Sequence, residues 1–335
     1  MLHVITFGRW GRPSLGITLS LWLLYLMFRD VNWRILDSYW FTVNPVFIVA
    51  AIMVLGIDYF LRLLRWHWML RLAGSSIGLK DCARPFFIGF ALNNLLPLRA
   101  GDIARVVSFG DLIGISGARI LGTLVTERLF DLLVLLTMLG VSLAWVPAGG
   151  DTLTWVGPIW TTAGAGLLGL VCGSLVLVTI PDVSTALSWL LRYMLGEHLG
   201  QRVMHRVIQL RSTLVLLGNP RALGGFIALS IAAWVLEGFV FALVFLALER
   251  DTAGAWLAMA AGNLGTLLPG APGHFGTFDF FAMQGLMAFN IEQDSAAFTV
   301  VFVHLILWVP VTLVGLVLIR VAPHHSTKKA DEHRP

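Results

Sequence analysis

The residues best suited to chemistry are three ionisable side chains inside one long apolar stretch. Glu127, Arg128 and Asp131 lie within 117–146, which is otherwise apolar enough to cross a bilayer. Glu127 and Asp131 are four residues apart and share a helix face, and Arg128 can pair with Asp131. Because charges are expensive in lipid, we expect these groups to face the protein interior. Two interpretations follow: an ion pair that locks a helix bundle, or a charged lining for a polar headgroup.

A second apolar stretch also carries charges near its end. Asp58 and Arg62 are four residues apart, the spacing of an ion pair within one helix. Arg65 is better placed to reach a phosphate at the membrane interface. The alternative is that both arginines extend along the helix to the lipid headgroups.

Two further ionisable residues stand singly in later apolar stretches. Glu237 needs a partner, for which Arg128 and Arg99 are candidates. His304 is the ionisable group of the last stretch, and we expect it to act as a hydrogen-bonding residue rather than as a ligand.

A phrase containing Pro and Gly occurs twice in these apolar surroundings. Leu-Leu-Pro-Leu-Arg-Ala-Gly-Asp at 95–102 is echoed by Leu-Leu-Pro-Gly-Ala-Pro-Gly-His at 267–274. A helix broken inside a bilayer leaves N–H and C=O groups that only protein or a water-filled cavity can satisfy. Corresponding breaks in two halves of a membrane protein indicate a transport site.

Polar and charged side chains lie beside both breaks. Free N–H groups at a broken helix end, together with arginines, suit an anionic phosphate. The candidate binding residues at the first break are Asn94, Arg99, Asp102 and Arg105. Those at the second break are Asn263, His274 and Asp279.

The elements that must position these residues are membrane-spanning helices. Hydrophobic residues make up 57% of the chain and charged residues 13%, and the net charge of +4 fits loop lysines and arginines better than nucleic-acid binding. The predicted full spans are 14–28, 45–66, 117–146, 157–180, 222–248 and 296–320. The broken segments lie near 86–98 and 257–290.

The distribution of Lys and Arg predicts the topology. Three lie in 29–44, 147–156 and 249–256, whereas nineteen lie in the other connections and the termini, which we therefore place on the cytoplasmic side. Each broken segment then enters and leaves on one side, as a re-entrant hairpin. The fold class is an all-α polytopic bundle with two inverted repeats, each with a broken re-entrant hairpin. Within one domain, 1–335, the parts are the first repeat 14–146, the inverted repeat 157–320, cytoplasmic interfacial helices in 182–221 and the cytoplasmic tail 321–335.

Catalytic, cofactor and metal sites are not predicted. The GxGxxG match at 164–169 lies inside an apolar stretch with no preceding strand, so we interpret it as a helix-packing surface. No P-loop lysine motif or Ser, His and acid arrangement stands out, and His324-His325 lacks further ligands at useful spacing. We therefore expect a protein that is not an enzyme.

With these residues the chain resembles the lysylphosphatidylglycerol synthase transmembrane family, also called the flippase-like or UPF0104 family. Its N..P.R.GE..R pattern is matched at Asn94, Pro97, Arg99, Gly101, Asp102 and Arg105, with Asp102 where Glu is usual. Its ER..D signature is matched at Glu127, Arg128 and Asp131. Its P..PGG.G.FE stretch is matched at Pro269, Pro272, Gly273, Gly276, Phe278 and Asp279, with His274 replacing a Gly. His304 falls where the family tends to carry a histidine.

The resemblance implies movement of a lipid with a polar or charged headgroup between leaflets of a bacterial cytoplasmic membrane. A phospholipid, aminoacyl-lipid, hopanoid or polyprenyl-linked glycolipid would be the substrate, and lipid-biosynthesis enzymes are candidate partners. Aminoacyl transfer is not expected, because about 15 polar residues follow Val321 where larger members carry a transferase domain. The alternatives are a non-transporting accessory or scaffold for membrane-lipid biosynthesis and, ranked lowest, a lipid-modifying enzyme.

Overall fold

The computed structural model describes residues 3–32, 43–147 and 220–321, with a few single residues between 164 and 201. Regular structure in these ranges is helical, as predicted. The helices of the first part are α1 (His3–Phe28), α2 (Pro45–Leu72), α3 (Leu79–Leu95), α4 (Ala100–Val107), α5 (Gly110–Ile113) and α6 (Gly117–Leu143). Those of the second part are α7 (Pro220–Ala247), α8 (Ala255–Gly265), α9 (Thr277–Met287) and α10 (Gln293–Arg320). Short 3-10 turns occupy Pro97–Arg99 and Pro272–His274.

Three of these helices, α2, α7 and α10, are long and apolar enough to cross a membrane. The chain is therefore a membrane protein whose apolar helices fit a multi-pass arrangement. Helix α6 is of similar length but carries the ionisable residues singled out above. The predicted span 157–180, the interfacial helices in 182–221 and the tail beyond 321 lie outside the continuously described ranges.

Helices α2 and α7 form an antiparallel pair through the middle of the bundle. At one end the backbone N–H of Asn44 donates to the Ala247 carbonyl at 2.8 Å. At the other end Gly225 leaves room for the ring of Trp68, which lies against its backbone. Asn44 also caps α2, because its side chain accepts the Val46 N–H, and Pro45 occupies the first turn, where it needs no donor.

Helices α3 and α4 form a hairpin, which we call hairpin 1. Helix α3 ends at Leu95, before the break at Pro97, and α4 returns alongside it. The Cα of Gly101 sits against the Gly89 carbonyl, where a larger residue would clash. The Ser75 hydroxyl donates to the Ile113 carbonyl, so the chain leaves hairpin 1 at the end of the bundle where it entered.

Helices α8 and α9 form a second hairpin, which we call hairpin 2. Gly285 packs on the backbone of Ala258, and Gly265 packs near the Thr277 carbonyl, so the two helices run antiparallel in close contact. The connecting segment 266–276 turns sharply, with positive φ at Gly273, His274 and Gly276. Helix α1 covers this segment, since the Ser20 hydroxyl accepts the Ala271 N–H at 2.8 Å.

The tips of the two hairpins meet inside the bundle. One Arg99 Nη atom at the tip of hairpin 1 lies 3.4 Å from the Thr266 carbonyl at the tip of hairpin 2. Helix α10 packs along α3, where the Asn94 side chain donates to the Thr312 hydroxyl at 2.8 Å. Helix α6 packs against α8 in the same way. The broken segments and the charged helices therefore converge on one region.

Candidate functional site

A network of buried ion pairs joins α2 to α6. Arg65 is fully buried, and its Nη atoms lie 2.8 Å from Glu127 and 2.6 Å from Asp131. Ser230 of α7 accepts a further hydrogen bond from the guanidinium at 2.9 Å. The interpretation of Arg65 as an interfacial phosphate ligand is therefore wrong, and so is the pairing of Asp131 with Arg128. The carboxylate pair at 127 and 131 encloses an arginine from another helix.

A second buried ion pair joins α2 to α7. The Arg62 guanidinium lies 2.8 Å from Asp58, as predicted, and 2.8 Å from Glu237. It also stacks over the Trp234 ring at 4.4 Å, and Asn263 of hairpin 2 donates to Glu237 at 2.6 Å. The partner of Glu237 is thus Arg62 rather than Arg128 or Arg99.

Arg105 lies in an aromatic cage within the first hairpin region. Its guanidinium is 4.8 to 5.1 Å from the ring centres of Trp66, Phe86 and Phe90 and donates to the Phe86 carbonyl at 2.9 Å. Asp102 is 4.0 Å away. The side chain is fully buried, so it stabilises hairpin 1 and does not line the main cavity described next.

The main cavity has a volume of about 510 Å³ and is bounded by α4, α6, α7 and α8. Its lining combines a polar patch with apolar walls. The polar residues are Arg99, Asp102, Arg128, Asp131, Asn263 and Thr266. Most of the apolar wall comes from leucines and valines of α6 and from Ile103, Val106 and Val107 of α4. The cavity is amphipathic, and its polar patch includes Arg99 and Thr266 at the hairpin tips.

Asp102 is held firmly at this charged end. The Asn93 amide donates to its carboxylate at 3.0 Å, and its own N–H donates back to the Asn93 side chain at 3.1 Å. Arg128 contacts the same carboxylate at 3.5 Å, and 38% of its side chain is exposed to the cavity and its surroundings. Within the part of the chain that the structure describes, Arg128 thus has one long contact with a carboxylate.

Arg99 has even weaker contacts than Arg128. It contacts the carbonyl and the hydroxyl of Thr266, both at 3.4 Å, and no carboxylate of the described residues lies within 4.0 Å of it. Its backbone has φ +53°, a left-handed conformation that a residue with a side chain seldom adopts. The turn that breaks hairpin 1 therefore holds a cation whose charge is not balanced by a neighbour.

Two smaller cavities adjoin the same residues. One of about 240 Å³ lies between the hairpin tips and shares Arg99 and Thr266 with the main cavity. Another of about 150 Å³ lies between α2, α7 and α10 and shares Arg128 and Asn263 with the main cavity. His274 lines both of the smaller cavities. The polar residues at the two breaks thus line three neighbouring cavities.

His304 makes hydrogen bonds on both sides of its ring. Its Nδ1 lies 2.7 Å from Asp279 and its Nε2 lies 3.0 Å from the Gly273 carbonyl. The hydrogen-bonding role expected for this residue is present in the structure. Among the described residues no group of three His, Cys, Asp or Glu side chains could hold a metal ion.

The model of the lysylphosphatidylglycerol synthase TM region matches residues 14–315, which is most of the chain. The chain belongs to this family. The match covers both hairpins and the whole of the candidate site, so the family recognised from the three motifs is confirmed.

Two relatives from archaea are similar to this member of the synthase TM family. The glycosyltransferase AglD of Haloferax volcanii is 25% identical over 90% of this chain and 52% of its own length. The UPF0104 membrane protein MJ1595 of Methanocaldococcus jannaschii is 22% identical over 85% of this chain and 88% of its own length. The chain therefore spans about half the length of the glycosyltransferase relative.

The structure of this synthase TM region gathers the predicted residues into three groups. Arg99, Asp102, Arg128, Asp131 and Asn263 line the main cavity. Asn94, Glu237, His274 and His304 line the cavity of about 150 Å³, with Asp279 bonded to His304. Glu127 and Arg105 lie in buried contacts.

The sequence analysis did not predict that Thr266 lines the cavity or that Arg62 and Arg65 are buried. Thr266 stands just before the second Leu-Leu-Pro phrase, a position that could have been noticed beside the break. Arg62 and Arg65 lie on one apolar helix at a spacing of three, which is typical of a single buried face.

Proposed function

We propose that the protein moves a lipid with an anionic headgroup between the leaflets of the cytoplasmic membrane. The observation that carries the proposal is the amphipathic cavity of about 510 Å³, in which a patch of polar and charged residues that includes both hairpin tips adjoins apolar walls. Binding sites of this size hold small molecules or part of a lipid. A headgroup would lie at the hairpin tips while the acyl chains stay against leucine and valine side chains.

The sign of the headgroup follows from the charges that are left unbalanced. Counted over the described residues, Arg62 and Arg65 each have two carboxylate partners, whereas Arg99 has none within 4.0 Å and Arg128 has one at 3.5 Å. A phosphate placed between these two guanidinium groups would accept the hydrogen bonds that the protein leaves unmade. Asp102 would orient Arg128 and limit the excess positive charge.

The membrane arrangement is part of the proposal. Hairpins 1 and 2 would be re-entrant from opposite faces, in two inverted repeats related by a pseudo-two-fold axis in the membrane plane. Matched packing supports this, since α10 packs on α3 as α6 packs on α8, and α2 packs antiparallel on α7. Lysines and arginines in the loops support cytoplasmic termini.

A second candidate function is that of an accessory or scaffold for lipid biosynthesis. It is favoured by the relation to a protein named as a glycosyltransferase, of which this chain spans about half. In that case the membrane region would hold a lipid for an enzyme and would not carry it across. Direct measurement of lipid movement separates the two functions.

The test is a leaflet-exchange assay on purified protein reconstituted in vesicles. The probes are fluorescent phosphatidylglycerol and phosphatidylcholine, with the outer label destroyed by a membrane-impermeant reductant. We expect faster exchange of phosphatidylglycerol, and a fall of at least about tenfold, or ~1.4 kcal/mol, in Arg99→Lys and Arg99→Ala. Lysine keeps the charge but loses the planar fork that holds a phosphate by two bonds.

The matched control is Arg119→Lys. Arg119 donates to the Ala73 carbonyl at 3.2 Å, at the end of α2 and away from the cavity. It should leave exchange unchanged. Lipid movement at the wild-type rate in both Arg99 variants would contradict the proposed site, and no exchange by the wild type for either lipid would favour the scaffold.

A further inference from the structure

His304 lies between two aromatic rings at the tip of hairpin 2. Its ring centre is 4.4 Å from that of Phe275, in a stacked arrangement, and 4.7 Å from that of Phe278. The rings fix the plane of the imidazole, so its two nitrogens have defined partners. These are Asp279 at Nδ1 and the Gly273 carbonyl at Nε2.

Both partners of this ring are acceptors. A carbonyl oxygen cannot donate, an ionised carboxylate cannot donate, and a neutral imidazole has only one N–H. The two contacts can both be hydrogen bonds only if the His304 and Asp279 pair carries one proton more than a neutral ring beside a carboxylate. That proton lies either on the ring, as an imidazolium, or on Asp279.

We propose that His304 and Asp279 form a proton-binding site that latches the tip of hairpin 2 through Gly273. When the proton leaves, a single N–H remains for two acceptors. The other oxygen of Asp279 is fixed, because it accepts the Gly276 N–H at 2.8 Å. The remaining N–H therefore bonds to the carboxylate, the stronger acceptor, and the Gly273 carbonyl loses its donor.

The segment released in this way is under conformational strain. Gly273 and His274 have φ of +69° and +61°, and the second of these is unfavourable for a residue with a side chain. Besides His304, the Thr277 hydroxyl holds this segment, since it donates to the His274 carbonyl at 3.1 Å. Loss of the latch frees the turn that borders both smaller cavities.

The other ionisable groups around the same cavity are accounted for separately. They are Tyr59, Arg62, Arg128, Glu237 and His274. Arg62 and Glu237 pair with each other, and Arg128 pairs with Asp102, so none of these is needed by the latch. His274 is the group that could titrate in its place, and the experiment includes a variant for it.

In the proposed transporter, proton release at His304 and Asp279 would couple to opening of the hairpin tips, which makes the proton a coupling ion. This last step rests on the proposed function. The latch itself does not, because it concerns only the protonation of two side chains and the freedom of one turn. It is therefore tested without any lipid movement.

The first test measures exposure of the turn by thiol labelling. In a background with Cys82→Ala and Cys172→Ala, Ala271→Cys is labelled by a maleimide at increasing pH, and its rate is divided by that of Ser108→Cys. Ser108 is exposed at the end of α4, so the ratio removes the intrinsic pH dependence of thiol chemistry. We expect the ratio to rise several-fold with pH.

The variants assign that rise to the latch. His304→Gln should make the labelling ratio independent of pH, whereas His274→Gln should keep the rise. A ratio that is flat in the wild type, or a rise that survives in His304→Gln, would overturn the proposal.

The second test reads the protons directly by ¹⁵N NMR of labelled histidine, with the His304 signals identified by their loss in His304→Gln. At low pH we expect either an imidazolium or a ring protonated at Nε2. At high pH we expect a ring protonated at Nδ1 only. A Nδ1-protonated neutral ring at every pH would refute the proton site while leaving the lipid-exchange result untouched.

Discussion

Arg62, Arg65, Arg99 and Arg128 fall into two pairs with opposite surroundings. Arg62 and Arg65 of α2 are buried, and each lies within 2.8 Å of two carboxylates. Arg99 and Arg128 line the main cavity, and their contacts are 3.4 to 3.5 Å long. The difference separates charges that hold helices together from charges that are available to a ligand.

We therefore expect the buried pair of arginines to matter for stability and the cavity pair to matter for transport. Removing one member of a fully buried pair leaves a charge with no solvent and no partner, which is strongly destabilising. Removing a half-exposed arginine with one long contact changes stability little, because water replaces the contact. The following substitutions test the division in order of the expected loss of stability.

The largest loss is expected for Arg65→Ala. Glu127 and Asp131 would then remain buried with no cation between them, at a cost of about 3–5 kcal/mol. Thermal unfolding in detergent should show a much lower midpoint or no folded protein. Arg65→Lys, which keeps a charge but makes fewer bonds, should fall between this variant and the wild type. If the Arg65→Ala midpoint lay within a degree of the wild type, the claim that Arg65 stabilises the bundle would be wrong.

Glu237→Gln should have an intermediate effect. Arg62 keeps Asp58 at 2.8 Å, and the new amide retains the shape of the side chain, so we expect a loss of about 1–3 kcal/mol in stability. The double variant with Asn263→Ala should lose less than the sum of the single variants, because Asn263 and Glu237 are bonded to each other. Strict additivity in chemical unfolding would contradict that coupling.

Asn93→Ala tests how firmly Asp102 is positioned. The variant removes both hydrogen bonds between the two residues, and we expect a loss of about 1 kcal/mol in stability together with slower lipid exchange. The matched change Asn94→Ala removes a bond to Thr312 instead. It should lower stability to a similar degree and leave the orientation of Asp102 unchanged.

The smallest loss of stability is expected for Arg128→Gln. Its contact with Asp102 is 3.5 Å long and its side chain is 38% exposed. The free energy of unfolding should therefore change by less than about 1 kcal/mol. Exchange of phosphatidylglycerol should nevertheless fall several-fold. A variant that unfolds as readily as Arg65→Ala would show that both pairs of arginines are structural.

Local patterns predicted the long apolar helices and the positions of the two breaks, but not the short helices α4 and α5 or the start of α1 at His3. The bounds of α2, α6, α7 and α10 lie within a few residues of the apolar stretches at one or both ends, and α3 stops at the first Leu-Leu-Pro phrase. Proline and glycine enforce these ends through backbone geometry, which is a property of the residue itself.

Apart from the Asp58–Arg62 pair within α2, the partners of the buried charges were not predictable in the same way. Arg128 is one position beyond Glu127, about 100° around the helix, so it lines the cavity while Glu127 contacts Arg65 of α2. Asp131 does both, because it contacts Arg65 and borders the cavity. Which arginine of α2 meets them depends on the register of α2 against α6 and α7. That register is fixed by packing between distant segments, such as Trp68 against Gly225. The spacing of residues within one helix carries no information about it.

The contact between Gly89 and Gly101 determines how hairpin 1 can move. Two backbones in direct contact, with the Arg105 side chain lying across Gly89, leave no room for α4 to slide along α3. We therefore expect α3 and α4 to move as one rigid body, so that any displacement of the tip changes the backbone where the hairpin joins the bundle. Two glycines with positive φ flank the hairpin in the chain, Gly74 before α3 and Gly114 after α5, and they are the positions where the backbone most easily changes direction.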